Sequence, residues 1–455
     1  MSEAAGANSL PLVARLDPAV REIGMVGQSM RIRMRSWAGA RELPFGFVAA
    51  APVLAWLGAP GATLGELRQR AAELSGGWPS VADVLASLAR KRLLAWSYSS
   101  AAEPPLLVEP LGGRFAPDYD AVAPEGRRLS RFAYLRRDGE RLLLESPEVD
   151  ARIIVAPAGQ ALLPAILSAG ASSSLRDPAV EHLLACCGFL EPSGPEPADR
   201  RTWPFHDRLF HEETRANVSG RLQGGNYRFK NEFPGPPAVK PAMAAERIPL
   251  ATPTGPAGSA PLWSVMESRV SRRTPGTRAV RRDDLAHLLW RVARVRNVLK
   301  DETQDVLNRP IPAGGSINEL EFYLVANRCE DLAPGLYHYV GTEHTLEPLR
   351  APPALLARML DFASHAQAQQ SVRPDCLIVL AARLPRLGWK YEGIAYRVAL
   401  MNAGVAIDAL YLVATDLGLS PCAVGTGNSA LFEQATGLSP WAETAIAEFT
   451  INGPA

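Results

Sequence analysis

The stretch "GIAYRVALMNAGVAIDALYLVATDLGL", Gly393 to Leu419, decides how the carboxy-terminal half of this chain folds. Apolar side chains fall on nearly every face of a 3.6-residue repeat, interrupted by Arg397, Asp408 and Asp416. Such a helix, Gly393 to Leu417, is expected to be buried on most faces, in part against a second copy of the chain. Its uninterrupted apolar run is shorter than the ~18 residues a membrane span needs. Immediately before it stands "RLGWKYEG", Arg386 to Gly393, with Lys390 and Tyr391 side by side. Neighbouring side chains project differently. The pair is either a solvated corner or two proton-handling groups placed at a site.

Working outward, "ELEFYLVAN", "DCLIVLAARL" and "TAIAEFTIN" have the composition of buried strands. "WSVMESRVSRRTPG" starts a helix, and "DDLAHLLWRVARVR" is another, capped near Asp283 and Asp284. Residues 261–455 are therefore expected to form an α+β domain, a mixed sheet flanked by helices.

The first 196 residues carry a weak repeat. Residues 1–105 run from the alternating "SMRIRMRSW" to "TLGELRQRAAEL" and "SVADVLASLARKRLLAWSYS", with Ser80 as the expected N-cap. Residues 106–196 follow the same order. "RFAYLRRDGERLLLESPEVDARIIVAP" reads as strands joined at Asp138–Gly139, and "DPAVEHLLACCGFLEP" as a capped helix and short strand. Strand, three helices and wing, twice, suggests two tandem winged-helix-like domains. Residues 197–260 are rich in Pro and Gly but hold Trp203, Phe205, Leu209 and Phe210. They read as an arm with apolar anchors.

Charge and cysteines exclude some functions. Lys plus Arg total 48 and Asp plus Glu 47, a formal net charge of +1, which argues against bulk binding of nucleic acid. Arg90, Lys91 and Arg92 cluster on one helix, but the equivalent helix of the second repeat carries no such charges. Cys186, Cys187, Cys329, Cys376 and Cys422 form no C-x-x-C pair and no zinc spacing, and suit reduced thiols in the cytoplasm. His206 and His211, five apart, fall on different helix faces, so no metal is expected. The amino terminus lacks a basic region followed by an apolar core, so no signal peptide is expected.

No P-loop, dinucleotide fingerprint or nucleophile elbow is present. Three dispersed pieces could carry chemistry. "SRRTPGTR", Ser271 to Arg278, offers guanidinium forks suited to phosphate. "RPIPAGGSINELEFYLV", Arg309 to Val325, puts two glycines ahead of a strand, where backbone amides can approach a flat ligand. "LSPCAVGTGN", Leu419 to Asn428, follows the long helix with further glycines.

Together these resemble the flavin-dependent nitroreductase superfamily, and within it the azoline dehydrogenases (thiazole/oxazole oxidases of streptolysin and microcin type). The resemblance covers residues 200–455. It rests on the arm "WPFHDRLFHEETR…GGNYRFKNEFPGPPAVKPAM", on "RPIPAGGSINELEFYLVANRCEDLAPGLYHY", and on "GWKYEGIAYRVALMNAGVAIDALYLVATDLGLSPCAVG". It implies an FMN-binding domain. Arg272, Arg273 and Thr274 would hold the phosphate. Pro312, Ala313, Gly314, Gly315 and Asn318 would form the turn beside the isoalloxazine, usually that of the other subunit of a homodimer. Val424, Gly425 and Thr426 would lie near flavin N5, and Lys390 and Tyr391 would be catalytic. The chain departs from the pattern at several positions, and its last residues "TINGPA" lack the basic residue that the pattern places there for the phosphate. Ala313 replaces a Ser, Asn318–Glu319 an aromatic or His followed by Pro, and Val405 and Ala409 a His and an Asn. The implied activity is oxidation of thiazolines or oxazolines in a ribosomally made peptide with O2 as acceptor, and an implied partner is a cyclodehydratase. A NAD(P)H-dependent nitro or quinone reductase, or a degenerate flavin-fold scaffold, are the competing expectations.

Overall fold

A computed structural model describes residues 13–17, 19–34, 40–58, 60–98, 103–111, 115, 117–118, 127–169, 174–192, 194–215, 224–255, 260–368 and 372–454. The break expected in the stretch Ser99–Pro105 falls partly outside these residues, as do the arm residues 216–223 and 256–259. The chain forms two compact units, Met1–Arg221 and Leu222–Ala455.

In the first unit the two repeats share one antiparallel sheet. Its order is Ala62–Thr63, Val13–Leu16, Leu94–Ser97, Leu106–Pro110, Ala151–Val155, Arg141–Glu145 and Tyr134–Asp138. The seam is the pairing of Trp96 with Val108 and Ser97 with Leu107. Alternation along these strands sends Leu106, Val108, Ile153 and Val155 into one core with Leu85, Leu88 and Leu184. The expected hairpin forms, but its two-residue turn is Gly139–Glu140, one position on, because Asp138 pairs with Arg141. In both repeats strands precede the helices, in the order expected: Val20–Pro44 comes before Ala50–Trp56, and Tyr134–Val155 before Pro178–Cys186. One expectation is corrected. The helix expected to be capped by Ser80 starts earlier, at Gly77, because Gly76 takes φ +96° and turns the chain into the helix ahead of it.

The second unit is built on a seven-stranded sheet. Its order is Ile248–Pro249, Thr345–Leu349, Gly335–Val340, Leu320–Ala326, Cys376–Ala382, Thr444–Asn452 and Ser420–Val424. All six pairings are antiparallel, which corrects the mixed sheet. Three of these strands follow one another through short turns, and such turns permit only antiparallel neighbours. Phe322, Leu324, Ile378, Leu380, Phe449 and Ile451 meet the central helix Ala395–Asp416 on one face. Tyr323, Val325, Leu377 and Val379 meet the helices Pro353–Ala366 and Ser429–Thr436 on the other.

Within one chain the central helix is covered on one side only. Ala399, Asn402, Ala403, Ala406, Leu410, Val413 and Ala414 are covered, whereas Tyr396, Leu400, Met401 and Val405 are exposed. One sheet can cover only one side of a cylinder. By length and composition alone the 22-residue helix is also apolar enough to cross a membrane, despite its charges. Its covered stripe is that of a core helix.

The ends of the unit are tied by Asp375, 1% exposed. Its carboxylate accepts from the amides of Val280 (3.2 Å) and Gly453 (2.9 Å) and from Arg328 Nε (2.6 Å). Asp375→Ala would strand two buried amides. A loss of about 3 kcal/mol is expected in denaturant unfolding of the purified protein.

Candidate functional site

Lys390 ends the short helix Leu384–Lys390, and Tyr391 begins the two-residue strand Tyr391–Glu392. The Gly314–Gly315 turn lies directly against them. Lys390 Nζ is 3.5 Å from the Gly315 carbonyl oxygen. Gly315 has φ +57°, and a Cβ there would fall 2.2 Å from Tyr391 Oη and 2.8 Å from Lys390 Nζ. Only glycine fits both the backbone and the space. The turn is held from below by the central helix. Asn402 Oδ1 accepts from the Gly314 amide at 3.0 Å, and Asn402 Nδ2 donates to both oxygens of buried Glu319. Burial holds the Glu319 carboxyl above its usual range, against the Asn402 bonds that favour its charged form. Asn318 is buried and spans the same turn, donating to the Leu307 carbonyl.

Two buried arginines fix the other walls. Arg386 is 0% exposed and donates to the carbonyls of Pro236 (2.9 Å), Asp305 (3.1 Å) and Ile317 (2.9 Å). Burial, aided by the neighbouring Arg383 charge, lowers its pKa to about 10. Arg383 donates to the Pro237 and Ala238 carbonyls and to Glu321. The arm is therefore part of the site. Beside Trp389 a cavity of about 490 Å³ opens between Pro234–Ala238 and Asp301–Asp305. A second cavity, about 530 Å³, lies by Pro352, Leu360 and Arg373 and touches none of these groups.

The other expected residues form a second cluster. The Arg272 amide donates to Pro421 O (2.8 Å), and Tyr411 Oη bonds Ser271 and the Ala423 amide. This brings "SRRT" alongside the strand Ser420–Val424, whose end carries Gly425 and Thr426. Arg272, Arg273, Thr274, Gly425 and Thr426 are exposed, and neither arginine is ion-paired among the described residues. Asn402 and Tyr411 mark the two clusters on the central helix, roughly 13 Å apart along its axis. Pro312 and Ala313 enter the first cluster, and Val424 the second.

Sequence reasoning named Lys390, Tyr391 and the glycines but missed Asn402, Arg383 and Arg386. An Asn inside "ALMNAGV" was the available signal, because a polar side chain within an apolar helix needs a partner. The arginines gave none, since most arginines are exposed.

With this geometry in view, the class can be stated. Residues 266–448 match the model of the Nitroreductase family, and residues 127–220 match that of the cyanobactin oxidase ThcOx. Residues 266–448 of the second unit thus match nitroreductases where the motifs led one to expect it, whereas the cyanobactin-oxidase match over residues 127–220 falls largely on the stretch read from the sequence as the second winged-helix-like repeat. Both names are those of oxidoreductases. Among curated proteins, the chain is 24% identical over 167 residues to the trifolitoxin-processing protein TfxB of Rhizobium leguminosarum, covering 36% of this chain and 45% of that one. It is 29% identical over 118 residues to the microcin B17-processing protein McbC of Escherichia coli, covering 25% and 42%. The matches thus span about half or less of these relatives. Among solved structures, a putative nitroreductase of Ralstonia eutropha aligns with 49% of this chain and 98% of its own, at 21% identity and TM-score 0.38. The E. coli microcin synthetase McbBCD complex with truncated pro-MccB17 aligns over 51% and 88%, at 18% identity and TM-score 0.35.

A charged network lies under the arm. His338, 3% exposed, contacts Glu347 (2.7 Å) and Glu321 (3.3 Å) through its two ring nitrogens. Burial opposes its charge, but the two carboxylates outweigh burial and raise its pKa. Burial likewise opposes the Glu321 charge, yet His338 and the arginines bring its pKa down to about 2. A raised histidine contributes stability below about pH 6.5 and loses it as pH climbs through the folded value. The depressed Glu321 contributes above about pH 4.5 and loses it on acidification towards pH 2. Wild-type urea midpoints should therefore fall between pH 6 and pH 9, and His338→Gln should flatten that slope.

Proposed function

We propose that this protein is an FMN-dependent azoline dehydrogenase that oxidises thiazolines or oxazolines in a ribosomally made peptide to the aromatic rings. The observation that carries the proposal is the contact of Lys390 and Tyr391 with the side-chain-free Gly314–Gly315 turn. It sets two proton-handling groups beside a backbone surface open to a flat ligand.

The donor set suits FMN. Arg272 and Arg273 are exposed guanidiniums without a carboxylate partner among the described residues, and would hold the phosphate with Thr274. Val424, Gly425 and Thr426, with the Pro312–Gly315 turn, would line the ring. FMN, when bound, supplies the two-electron acceptor, with O2 as final oxidant. The chain supplies the rest. An azoline Cα–H, acidified by its neighbouring carbonyl and imine, gives its proton to Tyr391 or to Lys390 after the ammonium has shed its own proton to become the neutral amine. The Gly315 carbonyl orients Lys390 Nζ, and Asn402 keeps the turn that presents this carbonyl in place. The cavity beside Trp389 would accept the peptide flanking the ring.

The separation of the two clusters along the central helix favours a homodimer, in which the glycine turn of one chain meets the phosphate-gripping cluster of the other. The exposed apolar residues Tyr396, Leu400, Met401 and Val405, with Trp263 and Met266, offer a surface for it. The winged-helix-like repeats would dock the peptide or a cyclodehydratase, and the protein would work in the cytoplasm.

Purified protein should be yellow and elute as a dimer in size exclusion with light scattering. Replacing both Arg272 and Arg273 by Ala should release FMN. Lys390→Ala should keep FMN while azoline oxidation falls about 10²-fold or more. Gly315→Ala should cost about 10²-fold in turnover by displacing the pair. A colourless protein, or full turnover by Lys390→Ala, would sink the proposal. Rapid bleaching by NAD(P)H without peptide would favour a reductase.

A further inference from the structure

Lys390 is a half-exposed cation in an unusual setting. Among the described residues it forms no ion pair. Its ammonium lies over two aromatic rings, 5.4 Å from the centre of Tyr391 and 5.6 Å from that of Tyr227. Tyr227 belongs to the arm, more than 160 residues away in sequence. The arm reaches it by pairing Gly224–Gly225 antiparallel with Tyr391–Glu392.

Several contacts show that this segment is fitted to the pair. The Tyr227 amide donates to the Lys390 carbonyl at 3.2 Å. The missing Cβ of Gly225 would lie 3.6 Å from Tyr391 Cε1 and 3.7 Å from Lys390 Cε, so the arm backbone rests flat on both side chains. Tyr227 itself takes φ +52°, a left-handed conformation that a bulky residue rarely adopts. Strain of that kind persists only where surrounding contacts impose it. Here it turns the ring edge-on to Trp389, with centres 5.7 Å apart, and over Lys390.

We propose that Tyr227 is a positioning residue for Lys390, its ring holding the ammonium between the arm and the Gly315 carbonyl. A ring face attracts the cation without the short directional bond of a carboxylate. The amine is thereby aimed while remaining free to meet a substrate. Other charges near it are engaged elsewhere or lie outside the contact. Glu392 is held by Asn226 and Arg228, and Asp301, which feels the Lys390 charge, accepts from the amides of Thr303 and Gln304.

The catalytic significance of this placement rests on the proposed role of Lys390, but the placement is testable without it. Acylation of the intact protein with limiting acetic anhydride, read by peptide mass spectrometry, reports Lys390 against exposed Lys300. Tyr227→Phe keeps the ring and should label as wild type. Tyr227→Leu should label Lys390 about 3-fold faster with Lys300 unchanged. If Tyr227→Leu does not fold, Tyr227→Met serves the same comparison. Equal Lys390 labelling in wild type and the ring-less variant overturns the proposal, as does equal labelling of the Phe and Leu variants. With an azoline peptide, the ring-less variant should lose kcat with KM held. Faster labelling with unchanged kcat would uphold the positioning and overturn the catalytic role of Lys390.

Discussion

Arg386 is the constraint on which the site depends. A guanidinium with no exposure must find acceptors in the protein, and it finds three main-chain carbonyls from three separate segments. One is on the arm, one on the Asp301–Asp305 loop, and one on the turn that follows Gly314–Gly315. The helix that contributes Arg386 ends at Lys390 one turn later. A single cationic side chain thus sets the distance between the proposed catalytic pair, the glycine turn and the cavity wall. Arg383 repeats the arrangement one turn earlier and adds a carboxylate, Glu321.

Charge is used in the same way beneath the arm. His338 sits between Glu321 and Glu347, while Lys240 and Tyr323 both meet Glu443. Glu347 also pairs with Arg247 and accepts from the Met243 amide. The Lys240, Arg247 and Met243 links join the arm to the sheet and its flank, while His338 ties three strands of the sheet together. Buried ionic groups add little net stability when compared with well-packed apolar ones. What they add here is register. An arm rich in proline cannot pair as a central strand, so its carbonyls and the half-buried Lys240 are matched to fixed partners instead.

Much of the frame was legible because its signals are local. The hairpin at Gly139–Glu140, the strands "ELEFYLVAN" and "DCLIVLAARL", and the central helix each follow from residues within a dozen positions. The Lys390–Tyr391 pair and the glycine turn could be named because family motifs mark them. Direction of pairing was not legible, and the sheet is antiparallel throughout rather than mixed. Nor was helix burial: composition says that a face is apolar, not which neighbour covers it. Asn402 was visible as an anomaly, but its partners Gly314 and Glu319 lie more than 80 residues away.

By itself, then, the sequence determined the elements, the glycines that only a turn of positive φ can use, and the types of side chain available for phosphate and proton. The tertiary structure alone decided which of these meet. It set Gly315 against Lys390 and Tyr391, folded the arm back so that Tyr227 covers the same lysine, and kept the Arg272 cluster a separate station on the central helix. The reason is physical. Backbone preferences and side-chain chemistry act over a few residues, whereas the partners of a buried charge are chosen by whatever main chain the fold brings within hydrogen-bonding distance.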